Sequence, residues 1–278
     1  MQELKIRPAK IQDQKAVDSL CTGSFPWGDY LPEVFGAWLQ DDTGQVLVAQ
    51  VEEEVVGLVR LVSLSAEEGW LEGMRIHPDW RRHGLASELT CHARDALLSQ
   101  GVDVVRLAIG NENTPSQRLA GHTGFRPAFS LVEYTTRGGE GCVRAATPGD
   151  VPNLLSLIEA GSPWGRPVPR QRAIIGYDWK WSQAKQDTIA SLISQEKIWT
   201  NDSSWAVVDS LWPGDDEITV HTPYGNPEAI TALLGGIYQR LQHPLRVTLV
   251  RWHGEEECPR ALWSDPEAGD IIYEYREE

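Results

Sequence analysis

One short stretch, Pro78-Asp79-Trp80-Arg81-Arg82-His83-Gly84-Leu85-Ala86, combines three basic side chains with a glycine and a small residue. Its chemistry depends on its neighbours. A strand that feeds a glycine turn and then a helix start presents unpaired backbone N–H groups at the positive end of the helix dipole, which makes an anion site. Gly84 lets the backbone approach a phosphate closely, and Ala86 is small enough not to obstruct it. Arg81, Arg82 and His83 supply local positive charge in a chain whose net charge is −15. Taken alone, R-x-x-G-x-A also describes a solvated surface loop, so the flanking elements decide.

Those elements fit the anion-site reading. Trp70 to Ile76 reads as a strand leading into the loop. Gly84 to Gln100 carries apolar residues at Leu85, Leu89, Ala93, Ala96 and Leu97, a helical stripe that stops before Gly101. Upstream, Leu4 to Arg7 is a short strand, Ile11 to Leu20 a helix, and Glu33 to Gln40 a second helix behind Pro32. Gln45 to Val51 and Val55 to Ser63 are apolar runs separated by Glu52-Glu53-Glu54, the pattern of two strands joined by a tight polar turn. Downstream come a strand at Val102 to Ile109, a short helix at Ser116 to His122 and a strand at Ala128 to Thr135. A strand meander followed by alternating helices and strands predicts a mixed α/β sheet.

The 278 residues also repeat. Ile6-Arg7-Pro8-Ala9 is echoed by Val143-Arg144-Ala145-Ala146, and Phe25-Pro26-Trp27-Gly28 by Ser162-Pro163-Trp164-Gly165 at the same spacing. Equal helical segments lie between them, Lys10 to Leu20 and Thr147 to Leu157. Two homologous domains, 1–138 and 142–278, joined by the polar Arg137-Gly138-Gly139-Glu140-Gly141 stretch, account for this. The acidic balance argues against nucleic acid or an anionic membrane as partner and suits a cationic substrate. No run approaches the roughly 20 apolar residues of a membrane span, and the N-terminus has no apolar signal core. Cys21, Cys91, Cys142 and Cys258 are far apart, without a metal-type pair, so reduced thiols in a cytoplasmic protein and no metal are expected.

A second motif completes the picture. Asn113, Ser116, Leu119, Ala120, Gly124 and Phe125 follow the pattern N-x-x-S-x-x-L-A-x-x-x-G-F. Together with Arg81, Gly84 and Ala86 in the order and distance observed, this resembles the GNAT superfamily of N-acetyltransferases. Gly28-Asp29-Tyr30-Leu31-Pro32, Trp38-Leu39 and Leu71-Glu72-Gly73-Met74-Arg75-Ile76 resemble, more narrowly, the histidine N-acetyltransferase-like branch. The resemblance implies acetyl-CoA as the donor and a primary amine of a small molecule, such as an amino acid, as the acceptor.

It also implies roles for individual residues. Acetyl-pantetheine would lie along Met74, Arg75 and Ile76, with a strand N–H near Met74 as the oxyanion donor. The pyrophosphate would meet Arg81, Arg82, His83, Gly84, Leu85, Ala86 and Ser87, and the far end of the cofactor Asn113 and Ser116. Asn113 and Ser116 also suit helix capping. Glu72, two residues before Met74 and therefore on the same strand face, is the expected base, acting directly or through water; pairing with Arg75 is its structural alternative. Arg75 itself could grip a substrate carboxylate. Ala120 stands where the family has tyrosine, so the acid falls to Tyr134, with His122 and Tyr30 as substitutes, or is dispensable because a thiol leaves readily at a pKa of about 8.5. Asp29 and Tyr30, in a loop between helices, are the expected acceptor contacts.

The second half reads as a degenerate copy. Glu217 to His221 and Pro227 to Leu241 form its strand and helix, but the intervening Thr222-Pro223-Tyr224-Gly225-Asn226-Pro227 has no basic residue. Its tryptophans, Trp164, Trp179, Trp181, Trp199, Trp205, Trp212, Trp252 and Trp263, suit a packed core or a subunit interface such as that of a homodimer. Asp270 to Tyr275 reads as a last strand. The resemblance implies a final hairpin after Phe125, but Phe125 to Arg137 has room for little beyond one long strand, so the second half is expected to complete or cover the open sheet edge. Two other functions use the same donor site: a non-catalytic acyl-CoA-binding sensor or scaffold, and an acetyltransferase for protein lysines or N-termini.

Overall fold

The computed structural model describes residues 4–23, 28–162, 168–209, 216–252 and 267–276. The Phe25-Pro26-Trp27 and Pro163-Trp164-Gly165 echoes, Trp212, Trp263 and Cys258 lie outside them. The chain forms two compact units, one of residues 1–127 with 272–278 and one of residues 128–271. Each mixes helices and strands in an α/β arrangement.

In the first unit the elements run β1 (Leu4–Pro8), α1 (Gln14–Cys21), α2 (Leu31–Trp38), β2 (Gly44–Val51), β3 (Glu54–Ser63), β4 (Glu68–Ile76), α3 (Leu85–Leu98), β5 (Val104–Ile109) and α4 (Thr114–His122). The strand order is β1-β2-β3-β4-β5. The first four strands are antiparallel neighbours, and β4 pairs with β5 in parallel. Each strand forms where its sequence alternates or runs apolar between turn residues; Val51↔Glu54 closes the predicted acidic hairpin. On α3, Leu89, Ala93 and Leu97 are fully buried and Leu85 nearly so, the predicted stripe of one helix face. Burying each leucine contributes about 1.5–3 kcal/mol relative to exposure. Val17 and Leu20 of α1 and Leu31 and Phe35 of α2 pack with Val46, Val48 and Leu58 in one apolar cluster.

The strand following α4, β6 (Arg126–Thr136), belongs from Ala128 onward to the second unit. That unit continues with β7 (Arg144–Ala145), α5 (Val151–Ala160), β8 (Ile174–Tyr177), β9 (Lys180–Gln183), α6 (Gln186–Ser194), β10 (Ile198–Thr200), β11 (Ser204–Val208), β12 (Ile218–Gly225), α7 (Pro227–Leu241) and β13 (Leu245–Trp252). Its strand order is β6-β13-β12-β11-β10-β7, with β8 and β9 as a separate hairpin. Among the described tryptophans Trp181 and Trp205 are completely buried, and Trp205 Nε1 donates to the Leu154 carbonyl at 3.0 Å, so these two are core residues.

The last strand, β14 (Glu267–Arg276), answers the question of the open edge. Its residues from Ile272 onward belong to the first unit, where β14 is the neighbour of β5. Arg106 of β5 donates to Glu274 at 2.7 Å and to Glu68 of β4 at 2.5 Å. Tyr275 packs on Phe125 at 5.8 Å and under the Arg94 guanidinium at 4.5 Å. The end of the chain therefore completes the sheet of its beginning.

Candidate active site

The strand β4 is regular only in its first half. The antiparallel ladder pairs Leu58 with Arg75 and Arg60 with Glu72, so two steps on β3 face three on β4. This is a β-bulge, and Gly73 occupies it with φ +70°. A Cβ there would lie 2.8 Å from the Trp38 ring and 3.3 Å from Leu31, so both conformation and space require glycine. The bulge corrects the expected facing of β4. Leu58 and Arg60 share a face, so their partners Arg75 and Glu72 share it too, and the simple alternation that joined Glu72 to Met74 is broken.

The same place marks a change in what surrounds β4. Its parallel ladder with β5 ends at Leu71↔Leu107, while β4 continues to Ile76. Residues up to Leu71 are buried and those from Glu72 to Ile76 are half-exposed. Met74, Arg75 and Ile76 thus lie on a strand stretch beyond its parallel partner, in reach of an extended molecule that would pair with it.

The loop then turns sharply. Pro78–Trp80 form one 3-10 turn, and Arg81 Nε donates to the Ile76 carbonyl at 3.3 Å. Arg82 and Gly84 both take left-handed conformations, with φ +64° and +84°. Helix α3 starts at Leu85 with no side-chain cap, so the first-turn N–H groups of Leu85, Ala86 and Ser87 have no side-chain acceptor among the described residues. Arg81, Arg82, His83 and Gly84 are exposed, and a Cβ on Gly84 would meet nothing within 4 Å. An uncapped helix start, an open glycine approach and flanking basic residues fit a phosphate group.

A cluster of charged and aromatic side chains lies on the β4 face that bears Glu72 and Arg75. Arg60, only 3% exposed, donates to Glu72 at 2.6 Å and also to Asp41. Its guanidinium lies 4.8 Å over the Trp38 ring, and its Nε has no acceptor among the described residues. Arg75 Nε and Nη2 grip the Asp29 carboxylate at 2.7 and 3.0 Å, and its Nη1 donates to the Met74 carbonyl. Burial alone would raise the Asp29 carboxyl, but the hydrogen bonds from Arg75 and the Leu31 N–H overcome it and hold Asp29 below its ordinary range. Tyr30 stands edge-on to Trp38 at 6.1 Å, with Arg75 5.8 Å from its ring. Desolvation pushes its hydroxyl up to about 12, opposed by Arg75 and aided by Glu72 and Asp29, although the residue as a whole is 42% exposed.

Residues 14–125 match the Acetyltransferase (GNAT) family. An acetyltransferase of Pectobacterium atrosepticum is 30% identical over 114 residues, which cover 40% of this chain and 79% of that protein. The chain belongs to the GNAT acetyltransferase family. A GCN5-related N-acetyltransferase from Sphaerobacter thermophilus shares its fold over 98% of this chain and 95% of that one, with a TM-score of 0.61 at 12% identity. A tandem GNAT protein from the clavulanic acid biosynthesis pathway does so over 99% and 98%, with a TM-score of 0.56 at 14% identity. GNAT acetyltransferases use acetyl-CoA, and this is an acetyltransferase of that type.

Within this GNAT fold the remaining sequence candidates fall into distinct settings. Asn113 caps α4, its side chain accepting from the Ser116 N–H at 3.2 Å, which is the capping role anticipated for the pair. Ala120 is buried in the core of the first unit. His122 bonds the Arg118 carbonyl at the exposed end of α4. Tyr134 belongs to the second unit, where it is 4% exposed in an apolar cluster with Val132, Val220 and Val247, the surroundings of a packing residue. Arg60, Asp41, Trp38 and Gly73 did not figure among the sequence candidates. The available signals were a lone arginine in the apolar Val55–Ser63 run and an isolated glycine inside a strand.

The second unit repeats the architecture and alters the chemistry. Trp205↔Tyr224 and Val207↔His221 again set two steps against three, and Thr222 takes the left-handed conformation at φ +43°. By register, His221 stands where β4 has Glu72. The parallel ladder with β13 ends at His221↔Thr248, yet β12 continues to Gly225. The segment from Thr222 to Gly225, expected as part of a connecting turn, is therefore strand; Tyr224 anchors it by donating from its buried hydroxyl to the Ile174 carbonyl at 2.8 Å. Only Asn226 separates strand from helix, and its side chain caps α7 at the Ala229 N–H. No exposed basic loop and no uncapped N–H cluster remain there for a phosphate.

Proposed function

We propose that the first unit is an acetyl-CoA-dependent N-acetyltransferase acting on the primary amine of a small molecule, and that the second unit is a degenerate copy without a donor site. The observation that carries this reading is the meeting, on one strand, of the Gly73 bulge, the open stretch Glu72–Ile76 and the uncapped start of α3. Bound acetyl-CoA supplies a thioester carbonyl open to attack by an amine. The chain's own residues do the rest. Arg81, Arg82, His83 and the N–H groups of Leu85 to Ser87 hold the pyrophosphate end. Met74, Arg75 and Ile76 offer backbone groups to an extended donor arm, and an N–H beside the bulge stabilises the developing oxyanion.

Glu72 takes a proton from the acceptor's ammonium, directly or through water, and so frees the nitrogen lone pair that attacks the thioester. Its carboxylate is held in one orientation by Arg60, which is held in turn by Asp41. Tyr30, with its hydroxyl pushed up to about 12, keeps its proton at neutral pH and can donate to the departing sulfur. A thiol-release assay with acetyl-CoA against free amines and short peptides tests the reading. Transfer that Glu72→Gln reduces at least about tenfold supports Glu72 as base; full activity of that variant across pH removes it. Acetyl-CoA binding without transfer to any amine would leave the sensor reading instead, which the alanine at position 120 favours.

A further inference from the structure

The acceptor side of the site holds more charge information than the proposed reaction uses. Three carboxylates, Asp29, Asp41 and Glu72, stand with two guanidiniums, Arg60 and Arg75. Every Arg75 nitrogen is engaged inside the protein, two on Asp29 and one on the Met74 carbonyl. The Asp29 side chain is only 2% exposed, so the pair is a closed unit. Arg60 is committed to Glu72 and Asp41 and is itself buried. Neither guanidinium is turned outward to meet an incoming carboxylate.

What does face outward is aromatic and acidic. Tyr30 is 42% exposed as a residue, its ring is braced on Trp38, and Glu72 lies within its electrostatic reach. An ammonium is attracted both to such ring faces and to the surplus negative charge. A carboxylate carried next to the reacting nitrogen would meet like charge and lose its water without gaining a partner. We infer that the acceptor is a cationic primary amine without a carboxylate on the carbon that bears it, and that the Asp29–Arg75 pair enforces this choice by keeping Arg75 occupied. This rests on the reading of the first unit as an N-acetyltransferase.

Matched pairs of probes test it: tyramine and tyrosine, histamine and histidine, tryptamine and tryptophan, each assayed with acetyl-CoA by thiol release. At least one amine is expected to exceed its amino acid in kcat/KM by about tenfold or more, the discrimination that an unpaired buried charge produces. Equal or better use of the amino acids overturns the inference while leaving the acetyltransferase reading intact. Transfer to no member of any pair overturns that reading, and the inference with it. Asp29→Asn supplies a second measurement with an internal control. Weakening the grip on Arg75 is expected to shift the amine-to-amino-acid ratio several-fold toward the amino acid, whatever the variant's overall activity. An unchanged ratio shows that the pair does not set the choice.

Discussion

Arg106 and Glu274 are joined by a 2.7 Å hydrogen bond across 168 positions of sequence, and the bond lies inside the first unit. Arg106 is 3% exposed and also holds Glu68, which is equally buried. A buried guanidinium is tolerated only while its carboxylates remain, because each charge has lost its water.

The chain's last strand is therefore expected to be structural for the first unit. Glu274→Ala should lower stability by about 1–3 kcal/mol, the cost of leaving a buried charged donor short of a partner. Thermal or urea unfolding measures this. Truncation before Glu267 should do more, since it bares the edge of β5, and residues 1–140 expressed alone are expected to aggregate. A soluble, stable, monomeric 1–140 fragment would show that the returning strand is dispensable.

Gly73 and Gly36 make an instructive contrast. Alanine at Gly73 must adopt φ +70° and drive its Cβ to 2.8 Å from Trp38. The left-handed conformation alone costs roughly 1–2 kcal/mol, and displacing Trp38 disturbs the ring under Arg60. Gly73→Ala should lose activity and stability together. Gly36, in the middle of α2, has open space around it, and Gly36→Ala should leave activity unchanged and stabilise the helix by up to about 1 kcal/mol. Equal behaviour of the two variants, in melting point and turnover, would deny the bulge its role.

These two glycines also show which parts of the structure were legible in the sequence. The α3 stripe, the β2–β3 hairpin and the basic loop were readable because each depends on residues near in sequence: Leu85 to Leu97, Val51 to Glu54, Arg81 to Ala86. The partners of Arg60, Arg75 and Arg106 were not, because register and long-range return of the chain decide them. Gly73 carried a local signal, but the face assigned to Glu72 rested on strict alternation, which one inserted residue cancels. On β12, Pro223 argued for a turn, whereas the anchoring of Tyr224 and the register shift at Thr222 keep it in the strand.

The proposed donor loop, Arg81 to Ser87, should separate donor affinity from acceptor affinity. At Gly84 the space is open, so Gly84→Ala adds no clash, only the left-handed strain at φ +84°. About 1–2 kcal/mol of strain corresponds to a roughly 5- to 30-fold loss in any binding that needs this loop geometry. Calorimetry should show that weakening for acetyl-CoA, with the acceptor KM little changed at saturating donor. Undiminished acetyl-CoA affinity would place the donor elsewhere.

Asp209, in the second unit, is a buried carboxylate surrounded by donors. His221 Nε2 bonds Asp209 at 2.9 Å, His221 Nδ1 meets Thr248 at 2.8 Å, and Lys197 lies 3.2 Å from the other Asp209 oxygen. Burial raises the Asp209 carboxyl, but the hydrogen bond and charge of His221, the charge of Lys197 and the Asp178 N–H outweigh it and hold it at about 2. A carboxyl depressed on folding stabilises the fold above its unfolded pKa of about 3.9 and loses that contribution as pH falls toward 2. The stake is about 2–3 kcal/mol for a side chain this buried. Asp209→Asn should therefore be less stable than the native chain at pH 6, with the gap shrinking between about pH 4 and pH 2. Urea unfolding at a series of pH values measures it, and a gap that is the same at pH 6 and at about pH 2.5 would show that Asp209 draws nothing from its ring of partners.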